Sequence, residues 1–248
     1  MTRQLPAALD LEGRRVIVTG AASGIGRATA RVLAQLGAEL VVNDRSPLAE
    51  VQAEVEALGA RCAAMQGDLT DDAFTASLFA GGRVHALAHC AAIINARPWR
   101  EDAKWRERFA RTMDVNVRVP LQIATIATDH MGEHGGGNIV LVGSVAGRSG
   151  GTSPNTPPDY VASKGAVHAL LRLLSRTAIE RGVLINGVAP GPVETPMTDN
   201  FSPGRGLPMG RLGKPEELAW PIAFLCSPAA SYMSGAIIDV NGGTLVVG

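Results

Sequence analysis

This sequence lacks a surplus of charge, a cysteine framework and any long apolar run. Its 23 basic and 23 acidic residues cancel, and no basic run stands out, so neither nucleic acid nor an anionic membrane is expected as the main partner. Cys62, Cys90 and Cys226 are odd in number and widely spaced. That pattern suits neither a disulfide framework nor a metal site, and it fits a reducing cytosol. No stretch approaches the roughly 20 apolar residues that span a bilayer. The opening MTRQLPAALDLEGRR has no continuous apolar core and does not read as a secretory signal. A cytoplasmic protein is the expectation, with no membrane, no nucleic acid and no metal. Linkers, repeats and low-complexity segments are missing too, so all 248 residues are expected to form a single domain.

What is present is alternation. Short apolar runs at 15–19, 40–43, 61–66, 84–89, 138–142, 184–188 and 236–240 alternate with helical patterns at 24–36, 47–58, 71–79, 102–131, 160–181 and 215–226. Near-continuous apolar strands separated by helices predict a parallel sheet covered on both faces. The economical solution is a Rossmann-like, doubly wound α/β fold.

The first strand runs into Gly20-Ala21-Ala22-Ser23-Gly24-Ile25-Gly26 at the head of the first helix. Glycines there let backbone approach a pyrophosphate, and the helix N-terminus offers free N–H groups and a positive dipole end. A tight turn with no ligand would show the same glycines. Asp44 ends the second strand, at a distance suited to the hydroxyls of an adenosine ribose. Its charge would repel a 2′-phosphate and so favours NAD, whereas Arg45 beside it could bind that phosphate. Asp68, next to Leu69 after the third strand, can reach an adenine amino group. At the end of the fourth strand His89 stands beside Cys90, but no partner ligands lie at metal-binding spacing. Cys90, Ala91 and Ala92 read instead as small residues beneath a cofactor.

Tyr160 and Lys164 lie four apart and share a helix face. Tyrosine's ordinary pKa of about 10 makes it a poor base, and bringing it to 7 takes roughly 4 kcal/mol. A lysine ammonium at about 4 Å supplies roughly that much at an effective dielectric of about 20. The pair alone is a weak motif, so its surroundings decide.

Those surroundings are Asp68-Leu69, Asn116 in Met113-Asp114-Val115-Asn116, and Ser144 in Gly143-Ser144-Val145-Ala146-Gly147, followed by Pro190-Gly191 with Thr195 and by Asn241-Gly242-Gly243. With the glycine turn, Tyr160 and Lys164, they resemble the short-chain dehydrogenase/reductase family over nearly the whole chain. The resemblance implies a seven-stranded sheet in the order 3-2-1-4-5-6-7, a cofactor half over about 12–142, a catalytic half over about 143–248 and a lid near 195–213. It implies a nicotinamide cofactor, NAD ahead of NADP, held by Gly20, Ser23, Gly24, Ile25, Gly26, Asp44, Arg45, Asp68, Leu69, Cys90, Ala91, Ala92, Tyr160, Lys164, Pro190, Gly191, Val193 and Thr195.

The same resemblance implies chemistry on a secondary alcohol or ketone. Tyr160 would be the general acid/base, Lys164 would lower its pKa and bind the nicotinamide ribose, Ser144 would hold the substrate oxygen, and Asn116 would anchor a relay water. A homotetramer is implied as well, and Val167, Leu170, Leu171 and Leu174 form a stripe that suits either a subunit contact or the chain's own sheet. Two departures stand out: His89-Cys90-Ala91-Ala92 replaces the family's Asn-Asn-Ala-Gly, and a Pro- and Gly-rich loop at 150–158 lengthens the gap before Tyr160. The loop is expected to shape a pocket lined by Ile93, Ile94, Pro154, Met197, Phe201 and Met209. One alternative is an NADPH-dependent 3-oxoacyl-carrier-protein reductase that docks its partner through Arg205, Arg211 and Lys214. A second, of another class, is a non-catalytic dinucleotide-binding protein.

Overall fold

The computed structural model describes residues 6–95, 99–152, 156–198 and 206–246. Along the chain run β1 (Arg15–Thr19), α1 (Gly24–Gln35), β2 (Glu39–Asp44), α2 (Ala49–Ala57), β3 (Cys62–Gln66), α3 (Asp72–Ser77), β4 (Ala86–His89), α4 (Trp105–Met113), α5 (Val119–Glu133), β5 (Gly137–Val142), α6 (Ala146–Ser149), α7 (Pro158–Ala178), β6 (Val183–Pro190), α8 (Pro215–Cys226) and β7 (Ile237–Val240). The strands form one sheet in the order β3-β2-β1-β4-β5-β6-β7, and every neighbouring pair is parallel. The expected order is therefore the one observed.

Side-chain alternation along each strand builds two cores. Val16, Val18, Leu40, Val42, Ala88 and Val140 pack under α1 and α8, beside Leu33, Ala219 and Ile222. Ile17, Leu87, Ile139, Leu141 and Ile185 face α5 and α7, beside Ile123, Ala127 and Leu171. Each such fully buried aliphatic side chain contributes about 2 kcal/mol, which is why the strand sequences are apolar at nearly every position. Of the α7 stripe, Val167, Leu171 and Leu174 face the chain's own sheet as part of the second core, whereas Leu170 does not join it.

Two helices differ from expectation in ways that bear on the site. The long helix expected over 102–131 is broken: α4 ends at Met113, a π-helical turn spans Asp114–Arg118, and α5 follows. Pro120, in the first turn of α5, has no N–H to give the carbonyl of residue 116, so the α-helical ladder cannot close there. Asn116 rides on that irregular turn. Helix α7 starts at Pro158 rather than at Tyr160, with proline in the first turn where its missing N–H costs nothing. Among the described residues no helix is long and apolar enough to cross a membrane.

Candidate active site

The strand order reverses between β1 and β4, and a crevice opens at the carboxyl ends of the strands there, as such topology dictates. Two adjoining cavities of about 310 Å³ and 130 Å³ occupy it, and Ile25, Cys90, Ala92, Thr195 and Met197 line both. They form one groove. Its larger part is bordered by Gly20, Ser23, Gly24, Gly26, Asp44, Arg45, Asp68, Leu69 and Ala91. Its smaller part is bordered by Ser144, Tyr160, Lys164, Pro190, Gly191 and Val193.

At the larger end the glycines make room. Gly20 holds φ at +66°, and a Cβ on it would lie 2.7 Å from the Ala91 amide nitrogen. A Cβ on Gly26 would collide with the Gly20 carbonyl, so α1 can start this close to β1 only without side chains. Ser23 occupies the N-cap of α1 yet makes no side-chain cap bond, and no acidic residue stands in the first turn. The N–H groups and dipole of that turn are thus left facing the groove, a cradle that fits a dinucleotide pyrophosphate.

Both acidic residues of this end stand at the groove, but they are held differently. The Asp44 carboxylate accepts from the Ala22 N–H at 3.1 Å and the Ser46 N–H at 2.9 Å, which fixes its direction. Asp68 accepts from the Thr70 N–H and hydroxyl on one oxygen and from Arg111 at 2.9 Å on the other. Burial works against its charge, yet the Thr70 and Arg111 bonds prevail and hold its carboxyl at about 2. Arg45 leans toward the same carboxylate at 3.6 Å. Arg111 and the commitment of Asp68 had no signal in the sequence, because the two residues are 43 apart and belong to different elements.

At the smaller end Ser144 and Lys164 are buried and Tyr160 is half-buried, among mostly apolar walls. Ser144 follows β5, Tyr160 and Lys164 lie one turn apart on α7, and the Ser144 hydroxyl is near enough to the Tyr160 phenol to favour its ionised form. Asn116 lines neither cavity itself. Its side chain exchanges two bonds of 2.9 Å with the Ile93 backbone and reaches the Ser163 hydroxyl at 3.1 Å. That pins the strand end bearing Cys90 and Ala92 against α7. His89, where the family has asparagine, shares a hydrogen bond with the Thr19 hydroxyl through Nδ1 at 2.9 Å, so it joins the ends of β1 and β4 beneath the glycine turn. Burial, and then the Lys164 charge, hold its imidazole down at about 3; it is a neutral strut.

The expected electrostatics of Tyr160 need correction. Burial raises the phenol above its ordinary value, with the Ser144 bond pulling the other way. Lys164 spends its ammonium on the Val142 carbonyl at 2.9 Å and lies 5.8 Å from the centre of the phenol ring. Burial also lowers Lys164 itself to about 8. Both groups share a desolvated site that disfavours each charged form, so proximity on a helix face is not enough to make a phenolate.

The pocket expectations divide. Ile93, Ile94 and Met197 border the groove, whereas Met209 lines a separate cavity with Leu207, Pro192 and Gly242. Pro154 and Phe201 lie outside the described residues, as do Arg205 and the rest of the 199–205 stretch of the expected lid. Arg211, one of the three cations expected to receive a carrier protein, is clamped by both oxygens of Glu217 at 2.7 and 2.8 Å. Thr152 and Thr156 flank the smaller cavity, so the described ends of the 150–158 loop do border it.

The sequence profile of the enoyl-(acyl carrier protein) reductase family matches residues 20–244, which takes in the glycine turn and every residue of the Ser144–Tyr160–Lys164 cluster. The chain belongs to the short-chain dehydrogenase/reductase family. It is accordingly a nicotinamide-dependent oxidoreductase. Galactitol 2-dehydrogenase (L-tagatose-forming) of Cereibacter sphaeroides is 38% identical over 256 residues, 95% of this chain and 96% of that one. L-rhamnose 1-dehydrogenase (NAD(P)(+)) of Sphingomonas sp. strain SKA58 is 34% identical over 254 residues, 95% of this chain and 98% of that one. A short-chain type dehydrogenase/reductase from Mycobacterium marinum superposes with a TM-score of 0.91 at 28% identity, over 97% of this chain and 98% of that one.

Proposed function

We propose that this short-chain dehydrogenase/reductase oxidises a small secondary alcohol with NAD as the acceptor, through Ser144, Tyr160 and Lys164. The observation that carries the reading is that these three side chains border the small end of a groove whose large end is a glycine-lined cradle at a helix N-terminus. Gly20, Gly24 and Gly26 would admit the pyrophosphate, Asp44 would take the adenosine ribose, and Val193 and Thr195 would take the carboxamide. When bound, the nicotinamide supplies the hydride-accepting carbon and a positive ring. The chain's own task is the proton. Ser144 shares the charge developing on the substrate oxygen, and Tyr160 exchanges the hydroxyl proton with it. Lys164 holds positive charge close behind.

NAD is favoured because the carboxylate of Asp44 is aimed by two backbone amides while Arg45 leans toward Asp68. A 2′-phosphate would face the anion without a cation set for it. The galactitol and rhamnose relatives make polyols and sugars the first compounds to try. We further place the enzyme in the cytoplasm as a homotetramer, with residues 12–142 as its cofactor half and 143–248 as its catalytic half. The test is a screen of NAD reduction over secondary alcohols and polyols, galactitol included, repeated with Tyr160→Phe. The variant should bind NADH almost as the wild type does while losing at least about a hundredfold in kcat; equal turnover would remove Tyr160 from the reaction.

A further inference from the structure

His168 lies on α7 one turn beyond Lys164, outside every motif of the site. Its imidazole is buried, and Nε2 accepts the backbone N–H of Ser144 at 3.3 Å. Gly143 permits that approach, since a Cβ on it would collide with Nε2. The neighbouring amides are answered by backbone instead: the Gly143 N–H by the Val188 carbonyl at 2.8 Å, the Val145 N–H by the Pro190 carbonyl at 2.9 Å. Side chains complete the rest of the turn: His168 answers the Ser144 N–H, and the Ser144 hydroxyl in turn accepts the Ala146 N–H at 3.1 Å. With Nε2 accepting, the ring proton sits on Nδ1, which is buried without a partner among the described residues. An orphaned buried donor costs stability, so its retention needs a reason elsewhere.

We propose that His168 is the positioning residue of Ser144, fixing the turn after β5 so that the Ser144 hydroxyl meets the Tyr160 phenol. The proposal rests on the reading of Ser144 and Tyr160 given above. A doubly protonated ring would set N–H against N–H and release the turn. Burial, with Arg148, Lys164 and Arg172 nearby, holds the imidazole down to about 4, and the acceptor persists through the neutral range.

The test compares His168→Leu and His168→Gln, each with Ser144 intact and with Ser144→Ala. Glutamine places an amide oxygen near the position of Nε2, whereas leucine fills space alone. His168→Leu should lower kcat about tenfold with NADH binding little changed, and His168→Gln should recover to within about threefold. Combined with Ser144→Ala, the leucine substitution should cost less than about twofold, because its effect passes through that hydroxyl. A second readout needs no substrate: the chain has two tyrosines, so in a Tyr232→Phe background ultraviolet titration follows Tyr160 alone. Its midpoint should rise in His168→Leu and in Ser144→Ala but not in His168→Gln. Equal cost of the leucine substitution with and without the serine hydroxyl overturns the proposal. So does full turnover in His168→Leu beside loss in Ser144→Ala. Full turnover in Ser144→Ala would instead overturn the reading of the site, and this link with it.

Discussion

The two ends of the groove are held together by different physics. Around Asp68 the charges are open to water: the side chains of Arg45, Arg111 and Asp68 are each more than a third exposed, so their pairing is screened and individually weak. Around Tyr160 the polar groups are dry. Lys164, Ser163 and Asn116 are buried, and each is answered by a backbone atom or a hydroxyl. The comparison teaches where substitutions should register. At the wet end a changed charge should move cofactor affinity and choice, with the fold untouched. At the dry end it should move the rate, and stability can move in the opposite direction.

Lys164→Met is the strongest test of that contrast. The drop of the Lys164 pKa from 10.5 to about 8 corresponds to about 3 kcal/mol against the charged form. Methionine removes that burden, though it also leaves the Val142 carbonyl short of a donor, which costs about 1–3 kcal/mol. Turnover should fall by more than about a hundredfold, while Tm at pH 7 should hold or rise. The pH dependence has a definite sign. Lys164 titrates at a lower pH in the folded chain than in the unfolded one, so the wild type gains stability between about pH 8 and 10.5. The variant has no such gain, and its relative stability should shrink by about 2 kcal/mol between pH 7 and 9.5. A gap that stays constant across that range would show Lys164 to be solvated.

Much of the wet end was legible in the sequence. Apolar strand runs ending in Gly20, Asp44 and Asp68 specify β1, β2 and β3 and what stands at their tips, because each signal is local. The dry end was legible as to which residues meet, through Ser144, Tyr160 and Lys164, but not as to their charge states. Desolvation depends on what covers a group, and for Lys164 that includes β5, whose Val142 carbonyl lies 22 residues away in sequence. The same reason hid Arg111 and His168, whose partners lie 43 and 24 residues off. The break at Asn116 could have been read: Pro120 stands four residues later, where a continuous helix needs an N–H.

At the wet end, Asp44→Ser should change cofactor choice more than rate. The serine keeps a short acceptor for the Ala22 and Ser46 amides but removes the charge that would meet a 2′-phosphate. kcat/KM with NAD should drop by about tenfold, the worth of one charge-assisted bond, and kcat/KM with NADP should rise. Measuring both cofactors on one alcohol checks this. A variant that still refuses NADP would mean that something other than Asp44 excludes the phosphate.

His89→Asn should have the smallest effect, and it sharpens the comparison from inside the dry end. Asparagine restores the family's residue and can still hydrogen-bond the Thr19 hydroxyl, so kcat should stay within about threefold and Tm should fall by the equivalent of about 1 kcal/mol for the lost volume. His89 is held at about 3 against an ordinary 6.5. As pH falls below 6.5 the unfolded chain takes a proton that the folded chain refuses, and the wild type loses stability. Between pH 7 and pH 5 that loss is about 2 kcal/mol, and the asparagine variant should be spared it. The variant that starts slightly weaker at pH 7 should therefore melt at the higher temperature at pH 5. If the two melting curves instead run parallel from pH 7 to pH 5, His89 takes up its proton inside the fold and the site around Lys164 is wet after all.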